Sequence, residues 1–167
     1  MILEAHDSNL PWPIRRVLVT GSRDWSDRAA VERTLGAVKA RILGFRPVTL
    51  VHGAGHGADG IADAWARRHH WLVETHTADW RMGRRAGPVR NLAMIRAGAD
   101  LCLAFIKDNS RGASGCAAAA HDAGIPTWRS DVGWIEVAVS ADEATRPVDT
   151  SVNYVWRNGR LVAGGYQ

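Results

Sequence analysis

Apolar residues fall into two kinds of run along this chain. Short unbroken stretches such as Val17-Leu18-Val19, Leu50-Val51 and Leu101-Cys102-Leu103-Ala104-Phe105 alternate with segments where apolar residues recur every three or four positions. The first kind marks strands covered on both faces and the second marks amphipathic helices. Strands are predicted over Arg15 to Thr20, around Val48 to Val51, over Trp71 to Thr75, over Asp100 to Ile106, and in a short fifth stretch through Trp128.

Helices are predicted between these strands. The first follows a cap at Ser26 or Asp27, buries Val31, Leu35, Val38 and Ile42, and stops at Gly44. The second runs from Asp59 to about His70 on a stripe of Ile61, Ala62, Trp65 and Ala66. The third starts at Gly87-Pro88, with Val89, Leu92 and Met94 or Ile95 assigned to the core, and the fourth spans Gly115 to Ala123 with Ser114 as its cap. Five strands alternating with four helices predict an α/β fold with a doubly wound, mostly parallel sheet.

The two ends of the chain break this pattern. Residues 1–14 read as a loosely structured arm pinned by Pro11-Trp12-Pro13, and residues 15–131 as the main domain. Residues 132–167 read as a small antiparallel appendix, with a strand over Trp134 to Val139 and a hairpin turning at Asn158-Gly159.

Composition limits the chemistry. At 167 residues and 46% hydrophobic residues, the chain is long enough for one good core. No run reaches the roughly 18 apolar residues of a membrane span, and the acidic N-terminus lacks a basic signal start, so a cytoplasmic protein is expected. Cys102 and Cys116 lie in apolar surroundings and read as reduced, buried thiols, and no ligand spacing suggests a metal. The formal charge of +4 comes almost wholly from arginines scattered along the chain, a distribution that argues against a nucleic-acid surface.

The candidate chemistry lies in the turns at the strands' carboxyl ends, where open α/β sheets bind ligands. Leu50 to Asp59 runs from a strand through Gly53, Gly55 and Gly57 onto a helix N-terminus, an arrangement able to hold a phosphate, with His52 and His56 in reach. Gly21-Ser22-Arg23 is a second such turn, in which Ser22 can donate and Arg23 can pair with an anion. Arg90 and Asn91 fall in the first turn of the third helix, where an arginine is disfavoured unless an anion offsets it. Asp79 and Trp80 lie in the long loop from His76 to Gly87, and Trp80 or Trp25 is available to stack on a base.

The ordered motifs Val-Leu-Val-Thr-Gly-Ser-Arg-Asp-Trp (17–25), Val-His-Gly-Ala-Gly-His-Gly-Ala-Asp (51–59), Ala-Asp-Trp (78–80), Ala-Gly-Pro-Val-Arg-Asn-Leu-Ala-Met (86–94), Ala-Phe (104–105) and Arg-Gly-Ala-Ser (111–114) resemble the YspA-like branch of the SLOG superfamily. The resemblance implies a Rossmann-like fold and a ligand site that includes Gly21, Ser22, Arg23, Gly53, Gly55, Gly57, Asp59, Asp79, Arg90, Asn91, Arg111 and Gly112; Ser114, in the last motif, is a further candidate, and no cofactor is expected. It implies binding of nucleotide-derived molecules such as ADP-ribose derivatives, with a phage setting and a counter-defence role as one expectation.

The chain departs from the superfamily's phosphoribohydrolases. Their Pro-Gly-Gly-x-Gly-Thr-x-x-Glu signature is absent, and Arg111-Gly112-Ala113-Ser114 is followed by no glutamate. The leading expectation is therefore a homodimeric or larger binding protein for a nucleotide-derived small molecule, with no membrane partner. The alternatives are an N-glycosidic or phosphoribosyl hydrolase using Asp59 or Asp79, and nucleic-acid binding in the manner of DprA, also a relative.

Overall fold

The computed structural model describes residues 1–11, 13–42 and 47–135, with the backbone of 153–157 and 160–164. Its main sheet contains β1 (Arg16–Gly21), β2 (Thr49–His52), β3 (Leu72–Thr75), β4 (Leu101–Phe105), β5 (Thr127–Arg129) and β6 (Gly133–Trp134) in the order β3-β2-β1-β4-β5-β6. The first five are parallel, as the alternation predicts. The sixth corrects the expected five-stranded sheet: it returns antiparallel to β5, with Trp134 opposite Trp128. Arg129 clamps Asp131 across the reversal at 3.0 and 2.6 Å, and Gly133 takes a φ of 84°. Trp134 falls in a strand expected of the appendix, and alternation alone does not report which sheet a strand joins.

The α-helices among the described residues are α1 (Arg28–Arg41), α2 (Ala58–Arg68), α3 (Ala86–Ala97) and α4 (Arg111–Asp122), with a 3₁₀ segment over Trp80–Arg85. Unbroken apolar strands are explained by two layers. Val17, Val19, Leu50, Leu101 and Leu103 pack with Val31, Leu35 and Val38 of α1 and Ala62, Trp65 and Ala66 of α2. Leu18, Val51 and Cys102 alternate to the other face, against Met94 and Ile95 of α3 and Cys116 and Ala120 of α4. Each fully buried leucine or valine contributes about 1.5–3 kcal/mol.

Two corrections concern helix faces and starts. Val89 and Leu92 are 46% and 45% exposed, not core. Their helix begins at Ala86, so Pro88 occupies the third helical position, where its missing N–H still has no intrahelical partner to lose. The fourth helix begins four residues earlier than expected, with Ser110 at its cap position, and Ser114 lies inside its first turn.

The described residues of the N-terminal arm form no helix or strand, yet Leu3, Leu10 and Ile14 are buried in the α1/α2 core. The Trp134 indole donates to Asp7 at 2.7 Å, tying arm to β6. Gly44, Trp12 and residues 136–139 of the expected strand lie outside the described residues. β7 (Asn153–Arg157) and β8 (Arg160–Gly164) pair antiparallel with Arg157 opposite Arg160, and the expected turn at Asn158-Gly159 lies outside the described residues. No helix among the described residues is long and apolar enough to cross a membrane.

The amino edge of the sheet is closed by polar contacts. Asp100 accepts the backbone N–H groups of Arg15 and Arg16 at 2.7 and 2.8 Å. The Arg16 guanidinium donates to the Gly98 carbonyl at 2.9 Å and to both oxygens of Glu74 at 3.0 and 2.9 Å.

Candidate functional site

The strand order reverses between β1 and β4, and an open cavity of about 730 Å³ lies at that crevice. Its walls are the loops after β1 and β4, Gly55 and Asp59, and α3 and α4 from their first turns as far as Met94 and Ala119. A second cavity of about 460 Å³ adjoins it between the glycine turn and Trp80, and the two share Arg23, Gly55 and Arg90.

Glycine is required where the first two turns touch. A Cβ on Gly57 would overlap the backbone carbonyls of Ser22 and Arg23, and one on Gly21 would overlap the Cβ of Ala58. Ser22 then clamps the turn to β4: its buried hydroxyl accepts the Lys107 N–H at 2.8 Å and donates to the Lys107 carbonyl at 3.2 Å. Its expected donation to a ligand is corrected by this commitment to backbone.

The glycine turn differs from an open anion cradle. The N–H groups of Gly53 and Gly55 both donate to Oδ2 of Asp59, at 3.1 and 3.0 Å, so a carboxylate from the next helix fills the place expected for a phosphate. Asp59 does not cap α2, whose cap position is Gly57. Between the two glycines Ala54 takes a left-handed φ of 58°, and its N–H donates to Nδ1 of His52 at 3.2 Å. With Nδ1 an acceptor, Nε2 carries the proton of neutral His52 and donates to Asp63 at 2.9 Å. His52 is thus buried and held, rather than presented to a phosphate.

Asp59 is 6% exposed and its Oδ1 has no hydrogen-bond partner among the described residues. Burial raises its pKa above the ordinary 3.8, against the lowering effect of the Gly55 N–H, Arg90 and the Gly53 N–H.

The arginines divide into structural and free. Arg90 donates from Nη1 to the Gly53 carbonyl and from Nε to Oδ1 of Asn91 at 2.9 Å. Asn91 in turn donates to the Gly112 carbonyl at 3.4 Å, so this pair joins α3 to the glycine turn and to α4. The carbonyl and the nearby Asp59 carboxyl are what offset the Arg90 charge. Among the described residues, Arg23 and Arg111 have no carboxylate partner: Asp24 pairs with Lys107 at 3.4 Å, and the Arg23 guanidinium lies 4.8 Å above the Trp80 ring.

Other expected site residues fall elsewhere. Asp79 is exposed, bound to Arg81 at 2.8 and 2.7 Å, and lines neither cavity; the Arg81 hydrogen bonds hold its pKa low. Ser114 lines neither cavity. His56 and Trp80 reach only the smaller one, and Trp25 packs on Phe105 with ring centroids 5.5 Å apart. Lining residues not singled out from sequence include Lys107, Asp108, Ser110, Leu92 and Gly115. The polar loop Lys107 to Gly112 was a signal for the first three; Gly115 carried none, because a glycine in an alanine-rich helix reads as filler.

Among the described residues no group of three or more His, Cys, Asp or Glu side chains is placed to hold a metal. Cys102 and Cys116 are free and buried, and burial pushes both thiols up.

Comparison with known proteins agrees with the motifs on which this site is built. The Gene 61 protein of Mycobacterium phage D29 is 47% identical over 121 residues, covering 68% of this chain and 94% of that protein. No solved structure matches the chain. Residues 15–83, which carry both glycine turns and the Ala-Asp-Trp loop, match the model of the YspA, cpYpsA-related SLOG family, and the chain belongs to that family.

Proposed function

We propose that this protein binds a small nucleotide-derived ligand, such as an ADP-ribose-like molecule, across the two adjoining cavities. The observation that carries this reading is the pair Arg23 and Arg111, which line the cavity at the strand-order reversal without carboxylate partners. A guanidinium free at a crevice fits bidentate pairing with phosphate. The cavity volume of about 730 Å³ suits a nucleotide-sized molecule. The N-terminal turns of α3 and α4 border the same space and add favourable dipoles for an anion. A relative in a mycobacteriophage supports a phage setting, in which capture of a host signalling nucleotide is the role we favour.

The test is a thermal-shift screen of the purified protein against ADP-ribose, its cyclic isomers, nucleoside monophosphates, NAD and cyclic oligonucleotides, with chromatography of each mixture before and after incubation. Stabilisation with the ligand recovered intact is the expected result. No stabilisation by any of these compounds overturns the reading.

A second reading, hydrolysis of an N-glycosidic bond, is favoured by Asp59 alone: a buried carboxyl with a raised pKa and an unpartnered oxygen is suited to acid or base chemistry. It predicts new product peaks that vanish in Asp59→Asn while binding persists. Asparagine keeps an acceptor for the Gly53 and Gly55 N–H groups, so the turn is preserved in that variant.

A further inference from the structure

The larger cavity is lined by both charged and apolar residues. Arg23, Arg111 and Lys107 lie toward the strand ends, whereas Leu92, Gly115 and Ala119 line the part between α3 and α4. Positions 112, 115 and 119 recur at three- and four-residue spacing, so they share one face of α4, and positions 88 and 92 share one face of α3. A Cβ added at Gly112 or Gly115 would meet nothing within 4 Å, so the α4 wall is flat and open there.

Glycine is the residue that helix interiors tolerate worst after proline, and α4 has two in its first five residues, Gly112 and Gly115. Opposite them Leu92 leaves 45% of its surface exposed within reach of the same space. A second observation indicates a missing occupant. Asp59 lines this cavity, is 6% exposed, and keeps an oxygen with no partner among the described residues. Buried polar atoms in native proteins are nearly always paired, so the Asp59 carboxyl at this wall is incompletely satisfied by the described residues.

We infer that the slot between α3 and α4 is a nucleobase subsite, so that the ligand's flat heterocycle lies over Gly112 and Gly115 against Leu92 and not on Trp80. The inference rests on the nucleotide reading and adds to it a direction. Base lies between the helices, sugar passes the strand ends beside Asp59, and phosphate meets Arg23 and Arg111. A planar base needs a wall with no projecting side chain, which the two glycines supply, and an apolar counter-face, which Leu92 supplies.

The experiment is calorimetric titration of wild type, Gly115→Leu and Gly115→Ala with AMP and with ribose 5-phosphate, which has no base. Leucine is a better helix former than glycine and meets open space at 115, so the variant should fold; its melting temperature checks this. Gly115→Leu is expected to weaken AMP by at least about tenfold and to leave ribose 5-phosphate unchanged. Gly115→Ala should fall between wild type and Gly115→Leu.

AMP binding by Gly115→Leu at wild-type strength, or an equal loss for ribose 5-phosphate, overturns the subsite. So does conversion of a wild-type dimer to monomer by Gly115→Leu in sedimentation, which would show that a second copy fills the slot. Wild-type protein that binds neither compound, nor any other nucleotide, removes the nucleotide reading itself and the subsite with it.

Discussion

The two edges of the parallel sheet handle charge in opposite ways. At the amino edge, Asp100 takes two backbone N–H groups and Arg16 meets Glu74 and the Gly98 carbonyl, so donors and acceptors are matched within the protein. At the carboxyl edge the contacts hold the loops in place but leave Arg23, Arg111 and one oxygen of Asp59 without partners. The difference separates stability from binding. A matched edge has its charge already paired, while an unmatched one has charge with which an anion can pair.

This contrast can be broken most forcefully at Gly57. Valine there would drive a branched side chain into the Ser22 and Arg23 carbonyls, with an expected loss of about 3 kcal/mol in urea unfolding and the loss of ligand stabilisation. Asp100→Ala should cost about 2–3 kcal/mol, because two N–H groups lose a charged acceptor, yet leave ligand affinity unchanged. The converse is expected of Arg23→Ala with Arg111→Ala. Affinity for a phosphorylated ligand should fall by about 10- to 100-fold while the unfolding midpoint moves little. If the double variant binds normally, or if Asp100→Ala abolishes binding, the division between the edges does not hold.

The smallest effect is the most specific. Asp59 holds its proton more tightly folded than unfolded, because burial raises its pKa above 3.8. Between that ordinary value and the raised one the folded state binds more protons, so this group adds stability as pH falls. Asp63 and Glu74 act in the opposite sense: Arg67 and His76 hold their pKa values low, and their contributions are lost as pH falls through those lowered values. Melting curves of wild type and Asp59→Asn from pH 7 to pH 4 should therefore converge or cross in favour of wild type at the acid end. Parallel curves would mean that Asp59 is ionised in the fold as it is in water.

Much of this molecule was legible in the sequence because hydrophobic period reports burial directly. Val17 to Val19 and Leu101 to Phe105 are apolar on both sides since helices cover both faces, and the five parallel strands follow from that. The glycine turns were legible too, because Gly21 and Gly57 meet a steric demand that no other residue satisfies.

What the sequence could not show was which partner each polar group would choose. Ser22 has the same letters around it whether it donates to phosphate or to Lys107, which is 85 positions away. Asp59 read as the first residue of a helix and became an acceptor for the turn behind it. Leu92 looked like core because it lies on an apolar helix, and the fold left it facing a cavity.

The carboxylate inside the glycine turn also makes the proton a co-ligand. Four cationic side chains, Arg23, Arg90, Lys107 and Arg111, line the main cavity against three carboxyls, Asp24, Asp59 and Asp108. An arriving anion disfavours a second negative charge beside it, so capture of a phosphate drives Asp59 toward its neutral form. Binding is then expected to draw protons from solution. Its calorimetric heat should differ between two buffers of unlike ionisation enthalpy at the same pH, and the difference should disappear in Asp59→Asn. A phosphate-binding protein of this design would hold its ligand more firmly as the surrounding medium acidified.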